Sequence, residues 1–136
     1  MAENFQKITP ACPYVGRCGG CRLQDLAYPD QLIVKTDRLR GALRALAPEE
    51  VVEVAGAPEA WRYRNKAEMT FSDDGAALTL GYHAAKSFWR IVDIEECLLL
   101  PHPVNALAGT ARRLARESGQ PAYHTRTHRG FFRYLL

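Results

Sequence analysis

The chain has 136 residues, of which 47% are apolar and 24% charged, with a formal net charge of +3, enough for one domain with its own core and too little for two. Its first ten residues, MAENFQKITP, carry charge and no continuous apolar run, which excludes a secretory signal at that point. The longest uncharged run, 97–111, is broken by Pro101, His102 and Pro103 and falls short of the ~20 apolar residues of a membrane helix, so a cytoplasmic location and no membrane partner are expected.

In chain order, residues 1–28 read as a cysteine-rich loop and residues 29–136 as an α+β domain. Tyr28-Pro29-Asp30 opens a helix, since proline and a negative charge both suit a first turn. Leu32, Leu39, Leu43 and Leu46 repeat at helical intervals, predicting an apolar stripe on a helix that ends before Pro48. Residues 51–54 form a short strand candidate. The clearest strand is expected over 62–72, where Tyr63, Ala67, Met69 and Phe71 alternate with Arg62, Arg64, Lys66, Glu68, Thr70 and Ser72. Asp73-Asp74-Gly75 is a hairpin signal, so 76–83 should return antiparallel. Residues 88–94 read as a third strand that delivers Cys97 just past its end. A second amphipathic helix follows over 103–118, with Val104, Leu107, Ala111 and Leu114 inward and Gly119 as its stop. A last strand, 129–136, stops on apolar residues, which suggests a piece of a longer chain. The expected architecture is an antiparallel sheet with two amphipathic helices.

Two constellations carry chemistry. Cys12-x5-Cys18-x2-Cys21 with the distant Cys97 is a four-thiol set. A reducing compartment makes these metal ligands or core residues before disulfides. Two glycines between Cys18 and Cys21 let the backbone fold tightly around a bound metal. Four thiolates suit zinc or a [4Fe-4S] cluster; a three-plus-one arrangement favours the cluster, since structural zinc more often takes two short pairs. The second constellation is Arg62-x-Arg64-x-Lys66, whose alternation in a strand would place three cations ~6.6 Å apart along one face, a spacing suited to tracking phosphates. Solvated charges partly balanced by Glu68 are the alternative. From residue 100 on, six arginines, Arg129 and Arg133 among them, face one acid, Glu117, a weak pointer to a polyanion such as RNA. Tyr28, Phe88, Trp89 and Phe131 are available to stack on bases, though each is more often core. His124-x3-His128 has zinc-like spacing but lies far from the cysteines in sequence and reads as surface. No glycine-rich cofactor loop and no nucleophile with a base stand out.

The stretches CPYVGRCGGCRLQDLAYPDQLIVK, WRYRNKAEMTF, LGYH, IVDIEECLLL and HRGFFRYLL resemble, in that order, the iron–sulfur-containing RNA uracil-C5 methyltransferases. The resemblance runs from Cys12 to Leu136. It implies that Cys12, Cys18, Cys21 and Cys97 ligate a [4Fe-4S] cluster and that this stretch is the central, RNA-contacting domain. It implies RNA as partner, with large-subunit rRNA the expected branch, and Arg62, Arg64 and Lys66, with help from Arg129 and Arg133, are the cations expected on its phosphates. The family's S-adenosylmethionine site, its nucleophilic cysteine and its glutamate base lie in a separate methyltransferase domain, whose motifs this stretch does not carry. The chain is therefore expected to be a truncation or half of a split gene. A stand-alone module stapled by zinc or iron–sulfur and without enzymatic activity is the alternative, and an electron-transfer protein a weaker third.

Overall fold

A computed structural model describes residues 5–46, 53–73 and 77–136. It has two helices, α1 (Tyr28–Leu43) and α2 (His102–Glu117), and four strands, β1 (Met69–Asp73), β2 (Leu78–His83), β3 (Ile91–Asp93) and β4 (Tyr134–Leu135). The strands form one antiparallel sheet in the order β3-β2-β1-β4, so the expected α+β class is what the chain adopts.

The hairpin β1–β2 forms as its alternation requires, with Phe71 opposite Leu80 and Asp73 opposite Leu78; the turn at 74–76 lies outside the described residues. Met69 and Phe71 from β1 and Leu78 and Leu80 from β2 share the inner face with Ile94, Ala108, Ala115 and Ala122. Burying the methionine, phenylalanine, leucine and isoleucine side chains among these contributes about 1.5–3 kcal/mol each. Gly81 sits where β3 passes closest: a Cβ there would overlap the Val92 carbonyl, so only glycine permits this strand pairing.

Helix α2 lies on β2, rotated from the expected face. Its buried positions are Ala108, Arg112 and Ala115, while Leu107 and Leu114, expected inward, are 63% and 53% exposed. The reason is Arg112, 7% exposed, whose guanidinium donates to the carbonyls of Leu80 and Ile94. Its Nε lies 3.1 Å from Asp93 Oδ1 as an ion pair, not aligned for a hydrogen bond. Arg116 adds Nε to the Leu78 carbonyl at 2.7 Å and Nη2 to Asp93 Oδ2 at 3.1 Å. Carbonyls on β2 and just past β3 thus find their donors on α2, and those arginines set its rotation. Gly119, at φ +67°, ends the helix as expected.

Helix α1 opens at Tyr28 as expected and passes into a single 3-10 turn, Arg44–Leu46, before Pro48. Its expected leucine stripe is not buried: Leu39 and Leu46 are exposed, and Thr36 is its buried residue. Thr36 Oγ1 accepts the Val54 amide at 3.0 Å and Tyr28 Oη accepts the Ala57 amide at 2.8 Å, so α1 packs on the segment that follows it. Of the strand expected at 51–54, residues 51 and 52 lie outside the described residues, and 53 and 54 are not in a strand.

The strand expected over 62–72 begins only at Met69. Arg62 has φ +58°, a left-handed conformation that ends any ladder. The alternation also loses its phase, because Asn65 and Lys66 are both exposed. Upstream of that break Tyr63 is 59% exposed, whereas Arg62 and Arg64 are half-buried, the reverse of expectation. The third and fourth strands are likewise shorter than expected. Phe88 and Trp89 precede β3 as exposed side chains, and 129–133 is tied by isolated bridges, Ala122 with Phe132 and His124 with Arg129. None of the helices of the described residues is long and apolar enough to cross a membrane.

Candidate metal centre

The cysteine loop is pinned at both ends and in its middle. Before Cys12, Lys7 bridges to Leu26, the Ile8 amide donates to the Asp25 carbonyl, and the Lys7 ammonium pairs with the Asp25 carboxylate. That pair holds the Asp25 carboxyl below its ordinary value. In the middle, Gly19 N–H donates to the His83 carbonyl at 2.9 Å and Ala85 N–H to the Arg17 carbonyl at 2.7 Å. The loop therefore docks on the end of β2. Tyr14 Oη accepts the Glu95 amide at 3.1 Å, which ties the loop to the chain leaving β3.

That chain brings in Cys97. The carboxamide of Asn105, one turn into α2, accepts the Cys97 amide on Oδ1 at 2.8 Å and donates from Nδ2 to the carbonyls of Cys97 and Leu100, both at 3.1 Å. Arg62 completes the clamp, donating to the carbonyls of Cys97 and Leu100 at 3.3 and 2.9 Å and pairing with Glu96 at 2.7 Å. Neither residue's role was legible beforehand: Asn105 looks like any helical asparagine, and the strand pattern sends Arg62 to the polar face.

Cys12, Cys18, Cys21 and Cys97 all line one cavity of about 40 Å³, together with Tyr14, Tyr82 and Arg64. No disulfide joins them. Burial pushes the thiols of Cys18 and Cys21 above their ordinary value, and the neighbouring cysteines add to this when ionised. Opposing it, the Gly20 amide points at Cys18 Sγ, 3.4 Å away, and Gln24 hydrogen-bonds Cys21. Tyr82 is pushed up to about 12, by burial first and then by the charge of Cys97. Its hydroxyl is buried without an aligned partner, as is Gln24 Oε1. Arg64, half-buried, is the cation at this wall.

Among the described residues no three His, Cys, Asp or Glu side chains converge closely enough to hold a single metal ion. The thiols border a space instead. Four thiols line the cavity, with the unpartnered Tyr82 hydroxyl and the Glu96 carboxylate among its other lining groups; a four-thiol donor set with a hydroxyl donor free to turn to its sulfurs fits a sulfur-bridged iron cluster. His124 and His128 are exposed and turned to local partners, His128 Nδ1 lying 2.9 Å from Tyr123 Oη.

Of the five cations expected on phosphates, the structure separates two groups. Arg62 and Arg64 face inward, to the Cys97 segment and the cysteine cavity; Lys66, Arg129 and Arg133 are exposed. Arg133 stacks between Tyr123 and Tyr134, with its guanidinium 4.9 and 5.0 Å from the ring centres. The strand-borne stripe of three is not formed, because Arg62 lies before the phase break and Lys66 on it.

Similarity to known proteins extends over nearly the whole chain. The chain is 32% identical over 133 residues, 96% of its length, to an uncharacterized RNA methyltransferase of Halalkalibacterium halodurans. It is 37% identical over 140 aligned positions, covering all of it, to one of Nitratidesulfovibrio vulgaris. The chain is thus similar over its length to part of proteins named RNA methyltransferases. A third such relative, from Clostridium acetobutylicum, is 35% identical over 93% of the chain. The chain spans about 30% of the length of these relatives, 29%, 30% and 29% in turn. No family model matches it.

Proposed function

We propose that this chain is the cluster-bearing, RNA-contacting part of an S-adenosylmethionine-dependent RNA uracil-C5 methyltransferase acting on large-subunit rRNA. In this reading Cys12, Cys18, Cys21 and Cys97 hold a [4Fe-4S] cluster. The observation that carries it is the meeting of four thiols from two distant stretches around one cavity. The names of the relatives support the RNA methyltransferase part. The ordered motifs around the cysteines support the iron–sulfur branch.

The cluster's work here is mechanical. When bound it supplies four iron–thiolate bonds that close the long loop from Cys21 to Cys97, and closing a long loop removes much of the unfolded chain's freedom. With every cysteine of the chain engaged, none is left as a nucleophile. This stretch would bind RNA and present it, while transfer of the methyl group would fall to a catalytic domain carrying the cofactor site, nucleophile and base. Arg64 would offset the negative charge of the thiolate-bound cluster from inside, and Lys66, Arg129 and Arg133 would meet phosphates from outside.

The test is spectroscopic. Protein isolated without oxygen should show the broad visible absorption of an iron–thiolate cluster, and each of Cys12→Ser, Cys18→Ser, Cys21→Ser and Cys97→Ser should diminish or abolish it. A colourless protein, or full colour in the Cys97→Ser variant, would remove the assignment.

A further inference from the structure

A second concavity, of about 590 Å³, lies between α1, the cysteine loop and the segment leading to Arg64. Its size falls within the ~300–1,000 Å³ of ordinary ligand clefts. One wall is the α1 face that carries Lys35 and Arg38, three positions apart and so on one side of the helix. Trp61 and Tyr63, 38% and 59% exposed, line the concavity from the segment leading to Arg64. Arg22 and Arg64 line it as well. Among the described residues none of these four cations is ion-paired to a carboxylate, and no acidic side chain lines the groove.

Lys35 lies 6.0 Å from the Tyr28 ring centre, but among the described residues the Trp61 and Tyr63 rings carry no such cation. Cations without carboxylate partners beside exposed rings in a concave site match the chemistry of a single-stranded nucleic acid, whose phosphates take the charges and whose bases take the ring faces. A protein segment would need acids for the cations and would leave the rings without stacking partners. The exposed arginine-rich end of the chain offers charge for phosphates but fewer free rings for bases. There Arg126 lies over Trp89, 5.3 Å from the ring centre, and Arg133 between its two tyrosines, so those ring faces are already occupied.

We propose that this groove binds a single-stranded RNA segment, with Arg22, Lys35 and Arg38 on phosphates and Trp61 and Tyr63 stacking on bases. The proposal rests on the RNA reading above and gives it a site. That site has a further consequence. Cys21, Gln24 and Arg64 line both the groove and the cysteine cavity, so bound RNA covers the thiol-bearing wall.

The two tryptophans of the chain make the test direct, because Trp61 lines the groove and Trp89 stands outside it. Oligouridine is titrated at low salt into the full chain carrying Trp89→Phe and, separately, Trp61→Phe. Quenching of Trp61 and an unchanged Trp89 are expected. Lys35→Ala with Arg38→Ala should flatten the salt dependence of binding by a slope of about 1.4 for two phosphate contacts on a single strand. Tyr63→Ala should weaken binding about tenfold. Arg113→Ala, whose partner is Glu117 on the exposed side of α2, should change neither, and circular dichroism checks that each variant is folded. RNA that binds while leaving Trp61 untouched and ignoring the double variant would overturn the groove, return it to a protein partner and leave the RNA function standing. Failure of the unsubstituted chain to bind RNA at all would remove both.

Discussion

Asn105 grips the backbone of Cys97 from both sides, accepting its amide at 2.8 Å and donating to its carbonyl at 3.1 Å. The residue that delivers the fourth thiol is thus held by the first turns of α2 and not by its own strand. Asn105→Ala leaves the partly buried Cys97 amide without a partner and should cost about 1–3 kcal/mol. Asn105→Asp keeps the acceptor but loses Nδ2, which serves the carbonyls of Cys97, Leu100 and Pro101. Both variants should melt earlier than the parent in thermal denaturation and lose the proposed cluster faster. An unchanged melting point would show that the clamp is dispensable.

Arg62 and Lys66, alike in the sequence pattern, should separate in experiment. Arg62→Ala removes donors from two carbonyls and an ion pair with Glu96, and should lower stability by about 2 kcal/mol. Lys66 is exposed, so Lys66→Ala should leave stability within about 0.5 kcal/mol and weaken RNA binding in a salt-dependent way. Urea unfolding of both variants, with RNA titrations at two salt concentrations, distinguishes them. Equal stability would put Arg62 back on the surface.

What the sequence made legible was local. The hairpin was readable because Met69, Phe71, Leu78 and Leu80 alternate around a turn signal, and the grouping of Cys12, Cys18 and Cys21 because they lie close together in the chain; Cys97, far along it, meets their cavity only through the fold. The tertiary assignments were not. Arg112 reads as a solvent-facing arginine until the carbonyls of Leu80 and Ile94 are seen to need it, and that need rotates Leu107 and Leu114 outward. Arg62 could be placed only after its left-handed backbone was known. In both cases a cation is drawn inward by backbone carbonyls distant in sequence, for which periodicity has no signal.

The close passage of β3 over Gly81 predicts an asymmetric pair of substitutions. Gly81→Ala drives a methyl group into the Val92 carbonyl, a backbone atom that cannot swing aside, and should cost more than about 3 kcal/mol or prevent folding. Gly109→Ala, within α2 and with no atom within 4 Å of the added carbon, should instead stabilise by about 0.5–1 kcal/mol. Denaturant titrations decide both, and a tolerated Gly81→Ala would contradict the observed register of β2 with β3.

The pair Lys7–Asp25 should give the base of the cysteine loop an acid-sensitive stability. Asp25 is held below the ordinary carboxylate value of 3.8 by its hydrogen bond to Lys7. A depressed folded-state value means that the contribution is present above that ordinary value and is lost as pH falls through the lower one. Carboxyl titration by NMR should find Asp25 below 3.8 in the parent and nearer to it in Lys7→Ala. An identical value in both would show that the pair does not persist in solution.

The central claim is that four cysteines from two ends of the chain share one cluster. Iron, acid-labile sulfide and zinc are to be measured together on protein purified without oxygen. The account predicts about four iron and four sulfide per chain, as a [4Fe-4S] cluster held by four thiolates requires, and no zinc. One zinc without sulfide would contradict it and leave a zinc-stapled binding module in its place.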